Sequence, residues 1–220
     1  MVKIAPSILA ADFANLGREI KSVNTADFLH FDVMDGVFVP NISFGIPVLE
    51  SIRKTTRMIL DVHLMVDSPS RHVAGFLEAG GDIITFHVEA ETPDNIYKAI
   101  EEIKKHGRRA GLSIRPDTKA ETLLPYIDSL SLILVMTVEP GYGGQEFIGA
   151  MLPKISEVRE IIDSRNLNCE LEVDGGINYE TAKQCVAAGA SVLVVGNDVF
   201  TAADRATHIN ELRSIATPRR

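Results

Sequence analysis

The sequence has few cysteines, no long apolar run and no excess of basic charge, and each shortage removes a class of protein. Two cysteines, Cys169 and Cys185, make no disulfide framework, and a reducing compartment suits them. No stretch is both long and apolar enough to span a bilayer. The first residues, Val2-Lys3-Ile4-Ala5, lack the apolar core and cleavage site of a secretory signal. The expectation is a cytoplasmic protein without membrane contact. The net charge of −8 argues against nucleic acid as a partner. It does not exclude a phosphorylated ligand, because local backbone amides bind phosphate on an acidic protein. The closing Thr217-Pro218-Arg219-Arg220 reads as a frayed tail without function.

What is present is a regular alternation. Eight apolar, β-branched runs fall at 3–9, 28–33, 58–65, 83–88, 109–114, 132–138, 170–173 and 192–195. Most are continuous, as strands buried on both faces are. Amphipathic segments with helix signals lie between them. Ser68-Pro69 and Thr92-Pro93 each offer an N-cap followed by proline at the first helical position. Thr118 with Glu121 predicts a capping box, and Asn178 an N-cap ahead of a helix over 179–188. Gly80-Gly81, Gly107 and Gly189 each fit a left-handed helix end just before a strand. Eight repeats over 220 residues, with no linker or shift in composition, predict one domain, a (β/α)8 barrel of the TIM type. A doubly wound sheet is the alternative.

Four metal-ligating side chains sit at or near the downstream ends of three of these runs: His30 and Asp32, His63, and Asp174. Strand ends are where α/β folds carry their chemistry. His30 and Asp32 are two apart and share a strand face. Two imidazoles and two carboxylates suit zinc, iron(II), manganese or cobalt. In a barrel, Ser7, Met34, Met65, His87 and Met136 converge on the same mouth, and the methionines would line a dry, soft-walled site. His72, His106 and His208 fall in predicted helices and are read as solvated.

Three glycine-rich stretches follow adjacent strands. They are Gly141-Tyr142-Gly143-Gly144 after the sixth, Gly175-Gly176 after Asp174 on the seventh, and Gly196-Asn197 after the eighth. Glycines let backbone N–H groups approach an anion, and barrels often bind phosphate with the loops after strands seven and eight. This is not a P-loop, because no Gly-Lys-Ser/Thr follows.

Several motifs together resemble the ribulose-phosphate 3-epimerase family. They are Ala5-Pro6-Ser7-Ile8-Leu9-Ala10-Ala11-Asp12, His30-Phe31-Asp32-Val33-Met34-Asp35-Gly36, Phe38-Val39-Pro40-Asn41, and His63-Leu64-Met65-Val66. Met136-Thr137-Val138-Glu139-Pro140-Gly141-Tyr142-Gly143-Gly144-Gln145 and Glu172-Val173-Asp174-Gly175-Gly176 complete the set, in order over nearly the whole chain. The resemblance implies interconversion of D-ribulose 5-phosphate and D-xylulose 5-phosphate through a cis-enediolate. It makes Asp32 and Asp174 the acid/base pair, and His30, Asp32, His63 and Asp174 the ligands of one divalent metal. Ser7, His63 and Asp174 would touch substrate, and Gly141, Tyr142, Gly143, Gly144, Gly175, Gly176, Gly196 and Asn197 its phosphate end. It also implies a cytoplasmic homo-oligomer with a small phosphorylated ketose as substrate. A ketohexose 6-phosphate epimerase such as one for allulose 6-phosphate, or a phosphosugar-binding barrel without turnover, are the alternatives. Two stretches depart from the pattern: Gly196-Asn197 where Gly-Ser is usual, and Arg115-Pro116-Asp117-Thr118 where a small residue or glycine more often precedes the threonine.

Overall fold

A computed structural model of the chain describes residues 1–215; the expected tail at 217–220 lies outside them. Eight parallel strands form one sheet: β1 (Lys3–Pro6), β2 (Phe28–Met34), β3 (Ile59–Met65), β4 (Ile83–His87), β5 (Arg109–Ile114), β6 (Leu132–Met136), β7 (Glu170–Asp174) and β8 (Val192–Val195). Strands β2 to β8 pair in sequence order, and β1 pairs with β8. The circle closes between β1 and β2 through one parallel bridge, Ser7 to His30. This is the expected (β/α)8 barrel, not the doubly wound sheet.

The helices are α1 (Leu16–Ser22), α2 (Ile46–Arg53), α3 (Val73–Glu78), α4 (Pro93–Lys105), α5 (Leu152–Ser164), α6 (Tyr179–Ala188), α7 (Asn197–Phe200) and α8 (Arg205–Arg213). No helix of the described residues is long and apolar enough to cross a membrane. Along β2, Leu29, Phe31 and Val33 point outward into the large apolar layer between sheet and helices. The alternate residues Phe28, His30, Asp32 and Met34 point inward, as a period of two requires. A smaller apolar cluster of Ala5, Phe28, Ile83, Leu132, Leu134, Met136, Val192 and Val194 fills part of the interior.

Several local expectations hold. Asn178 Oδ1 accepts the N–H groups of Glu180 and Thr181, and Thr181 Oγ1 accepts that of Asn178. Gly80, Gly107 and Gly189 take positive φ at the helix ends. Others fail. Thr118 and Glu121 make no capping box: the segment after β5 forms two 3-10 turns, Ala120–Leu123 and Ile127–Ser129, with no α-helix. Thr92 is extended and Pro93 opens α4, but the Thr92 hydroxyl makes no capping bond. Ser68 is left-handed and leads only into a 3-10 turn at Pro69–Arg71. His72 accordingly lies in a turn ahead of α3. His106 is exposed at the end of α4, whereas His208 is held by Asp198 at 2.6 Å and is not simply solvated.

Candidate active site

The upper ends of the strands surround a cavity of about 540 Å³. Ser7, Asp32, Met34, Met65, Met136, Gly141, Tyr142, Gly143, Gly144, Asp174, Gly175, Gly176, Gly196 and Asn197 all line it. The glycine loops form one side. Gly175 and Gly176 have φ of +121° and +66°, and a Cβ on Gly176 would stand 2.5 Å from the Phe147 nitrogen. No other residue type fits that turn without moving the β6 loop. The three methionines are buried, and Met34 and Met65 pack with Leu9, Phe38 and Val39.

His30 and His63 do not line the cavity; they lie fully buried beneath it. Asp32 Oδ1 stands 3.2 Å from His30 Nε2 and 3.1 Å from His63 Nδ1. His63 Nδ1 is 3.9 Å from Asp174 Oδ2. Ligand atoms on a tetrahedral ion with bonds of about 2.0–2.1 Å lie about 3.3 Å apart. The four side chains therefore fit a divalent ion with only small adjustment, and their atoms converge within 4.8 Å. The electrostatics agree. Burial resists ionisation of Asp32, yet His30 and His63 hold its carboxyl well below the usual range. Burial also resists charge on His30, but Asp32 and Asp61 push its pKa well above the ordinary value. In the metal-free protein a proton is thus held between acids, where a cation would replace it.

The two proposed acid/base groups differ. Asp174 is pushed up to about 6, by burial first and then by the charge of Asp32. Asp32 stays ionised, and its Oδ2 accepts the Ser7 hydroxyl at 2.6 Å. Ser7 itself has left the expected strand: β1 stops at Pro6, and Ser7 Oγ accepts the Leu9 N–H at the start of a 3-10 turn.

Three residues around the site, Asp61, Glu172 and Glu89, were not anticipated, and His87, expected at the mouth, lies fully buried outside the cavity lining. Asp61 Oδ2 accepts from His30 Nδ1 at 2.7 Å, and Glu172 lies within 4.8 Å of both. Asp61 Oδ1 and both Glu172 oxygens find no donor among the described residues. The proton must come from the acids themselves: burial and then Asp61 push Glu172 well above the carboxylate range, and as a neutral acid it can donate to Asp61. His87 Nε2 meets His63 Nε2 at 3.0 Å, and His87 Nδ1 meets Glu89 Oε2 at 3.2 Å. Burial pushes His87 down to about 4; burial resists charge on Glu89 too, but His87, the Arg115 N–H and Thr118 together lower it to about 2. Strand periodicity carried the signal for two of them. Asp61 precedes His63 by two, and Glu172 precedes Asp174 by two, so each pair shares the inward face.

The sequence profile of the Ribulose-phosphate 3 epimerase family matches residues 3–200. A ribulose-phosphate 3-epimerase of Bacillus subtilis is 46% identical over 216 residues, which is 97% of this chain and 99% of that one. The chloroplastic ribulose-5-phosphate-3-epimerase of Arabidopsis thaliana is 40% identical, over 98% of this chain and 77% of its own. Among solved structures, a 3-hexulose-6-phosphate synthase from Salmonella typhimurium superposes with a TM-score of 0.73 at 16% identity, covering 97% of each chain. That likeness concerns the barrel alone.

Proposed function

This chain belongs to the ribulose-phosphate 3-epimerase family, and from that premise we propose that it interconverts D-ribulose 5-phosphate and D-xylulose 5-phosphate. The observation that carries the reading is the pair Asp32 and Asp174, two carboxylates on separate strands that both line one cavity. Inverting a carbon beside a ketone needs a proton removed from one face and delivered to the other. An ionised carboxylate suits the first task and a carboxylic acid the second. Asp32, oriented by the Ser7 hydroxyl, takes the C3 proton in one direction. Asp174 returns a proton to the opposite face, and the roles exchange in the reverse direction.

His30, His63, Asp32 and Asp174 would hold one divalent metal, which when bound supplies positive charge beside the enediolate oxygens. Zinc, iron(II), manganese and cobalt all suit this ligand set. Met34, Met65 and Met136 exclude water and offer no competing proton. The glycines after β6, β7 and β8, with Asn197, bind the phosphate. That binding energy, remote from the reacting carbon, fixes the carbon between the two carboxylates. We read the chain as one barrel domain acting as a cytoplasmic homo-oligomer.

The test is turnover of ribulose 5-phosphate, ribulose and a ketohexose 6-phosphate in deuterated solvent, before and after chelation. The expected outcome is deuterium incorporation at C3 and loss of kcat/KM by orders of magnitude without the phosphate. Chelation should abolish activity, and an added divalent ion should restore it. Binding of the sugar phosphate without solvent exchange would reduce the protein to a phosphosugar-binding barrel.

A further inference from the structure

His63 is pulled from both ends. Its Nδ1 lies 3.1 Å from Asp32 Oδ1, which invites a proton onto Nδ1, and a protonated Nδ1 cannot bind a metal. Its Nε2 lies 3.0 Å from His87 Nε2. With both imidazoles neutral, as a metal-binding His63 requires, the second contact can be read in only one order. The Glu89 carboxylate accepts and cannot donate, so the His87 nitrogen facing it at 3.2 Å, Nδ1, carries the hydrogen. His87 Nε2 is then an acceptor, and His63 must donate to it from Nε2. The lone pair of His63 is left on Nδ1, the atom that belongs to the metal cluster.

We propose that His87 and Glu89 form a tautomer relay that holds the proton of His63 on Nε2 and turns its Nδ1 lone pair toward the metal. The proposal rests on the metal reading above. Both residues are positioning residues, since neither lines the cavity. The surroundings fix them. His87 is fully buried, with the Phe38 ring tilted against it at 4.9 Å between centroids, so water does not compete for its nitrogens. Arg115 lies over Phe38 at 4.2 Å and donates to the Phe38 carbonyl, holding the cover down. Glu89 uses both oxygens, one for His87 and the other for the Arg115 backbone N–H at 2.8 Å. His30 is set more directly: its Nδ1–H donates to Asp61, which leaves Nε2 for the metal side. The two histidines thus bind through different ring nitrogens, each chosen by a carboxylate behind it.

Two measurements test the relay. In metal-free protein, long-range ¹H–¹⁵N correlation should show His63 protonated at Nε2 and His87 at Nδ1. In His87→Leu the acceptor is gone, and the His63 proton should move to Nδ1, facing Asp32. Zinc affinity, measured against a chromophoric chelator, should fall about 10–100-fold in His87→Leu, the usual cost of losing a group that orients a metal ligand. His87→Gln should restore it, because the amide oxygen can accept from His63 while the NH₂ donates to Glu89. Glu89→Gln, at the edge of the barrel, leaves one oxygen for donors that now share two. Its NH₂ turned to His87 would reverse the relay, so zinc binding should weaken there too. A wild-type His63 without a proton on Nε2 overturns the proposal, as does a His87→Gln variant no better than His87→Leu. Zinc bound equally by wild type, His87→Leu and Glu89→Gln overturns the relay alone. No divalent ion bound by wild type overturns the metal reading and the relay with it.

Discussion

Strand β7 carries three acids on one face, two residues apart, and the two ends of the barrel treat them oppositely. At the lower end Glu170 pairs with Lys3, accepts the Ser191 hydroxyl at 2.6 Å and lies near Arg109. Burial opposes its charge, but these partners hold its pKa below the ordinary value. Lys3 and Arg109 also sit over the Phe28 ring, which plugs the bottom. At the upper end burial and neighbouring acids raise Glu172 and Asp174. A charged Glu170 strengthens the fold, contributing stability above its unfolded value of 4.5 that is lost as the pH falls through the lower folded value. The other two work in reverse. Their contribution is fully present below 4.5 and 3.8, and for Asp174 is lost as the pH rises through about 6. One strand therefore separates a stabilising end from an end whose like charges are tolerated for their chemistry.

The largest effects should come from the upper end. Asp32→Asn and Asp174→Asn should each lower turnover at least ~10²-fold with metal still bound, as loss of a general acid or base does; steady-state kinetics with metal analysis checks this. Near-normal turnover in either would remove that residue from proton transfer. Gly176→Val should lose kcat/KM by orders of magnitude, since its Cβ would meet the Phe147 backbone at 2.5 Å and displace the phosphate-side loop. The kinetic loss should exceed any loss of Tm.

A smaller effect sharpens the contrast in pH response. In chelated protein, Asp174→Asn should gain Tm relative to wild type as the pH rises from about 4 to about 6, because the variant no longer has to ionise a buried acid. A constant difference across that range would show that Asp174 titrates normally. Smallest of all, Lys3→Met at the lower end should cost about 1 kcal/mol or less in denaturant unfolding, the scale of a part-exposed ion pair. It should leave turnover unchanged, and a kinetic effect there would undo the division between the two ends.

The barrel was legible because most strands are continuous apolar runs and most inter-strand helices carry a glycine or proline near an end. The exception, after β5, shows the limit of local signals. Thr118 and Glu121 have the spacing of a cap, but Thr118 is committed to Glu89 across the barrel rim and the chain makes only 3-10 turns. The metal cluster was legible because its ligands are types that seldom end a strand by chance. Asp61 and Glu172 were visible in principle through their period of two. The link from His63 to His87 and Glu89 was not, because it depends on ring orientation between neighbouring strands, which no spacing encodes.

The closure of the barrel has a mechanical side. β2 and β3 are joined by seven paired residues, whereas β1 and β2 meet at the Ser7–His30 bridge and a bond from the Asp27 N–H to the Ile4 carbonyl. The cylinder therefore has a seam, where the fewest backbone pairs join neighbouring strands. Both residues of the bridge also touch Asp32, Ser7 through its hydroxyl and His30 through its ring. The carboxylate of this proposed base thus hangs on both sides of the join, and its aim depends on how that join is held.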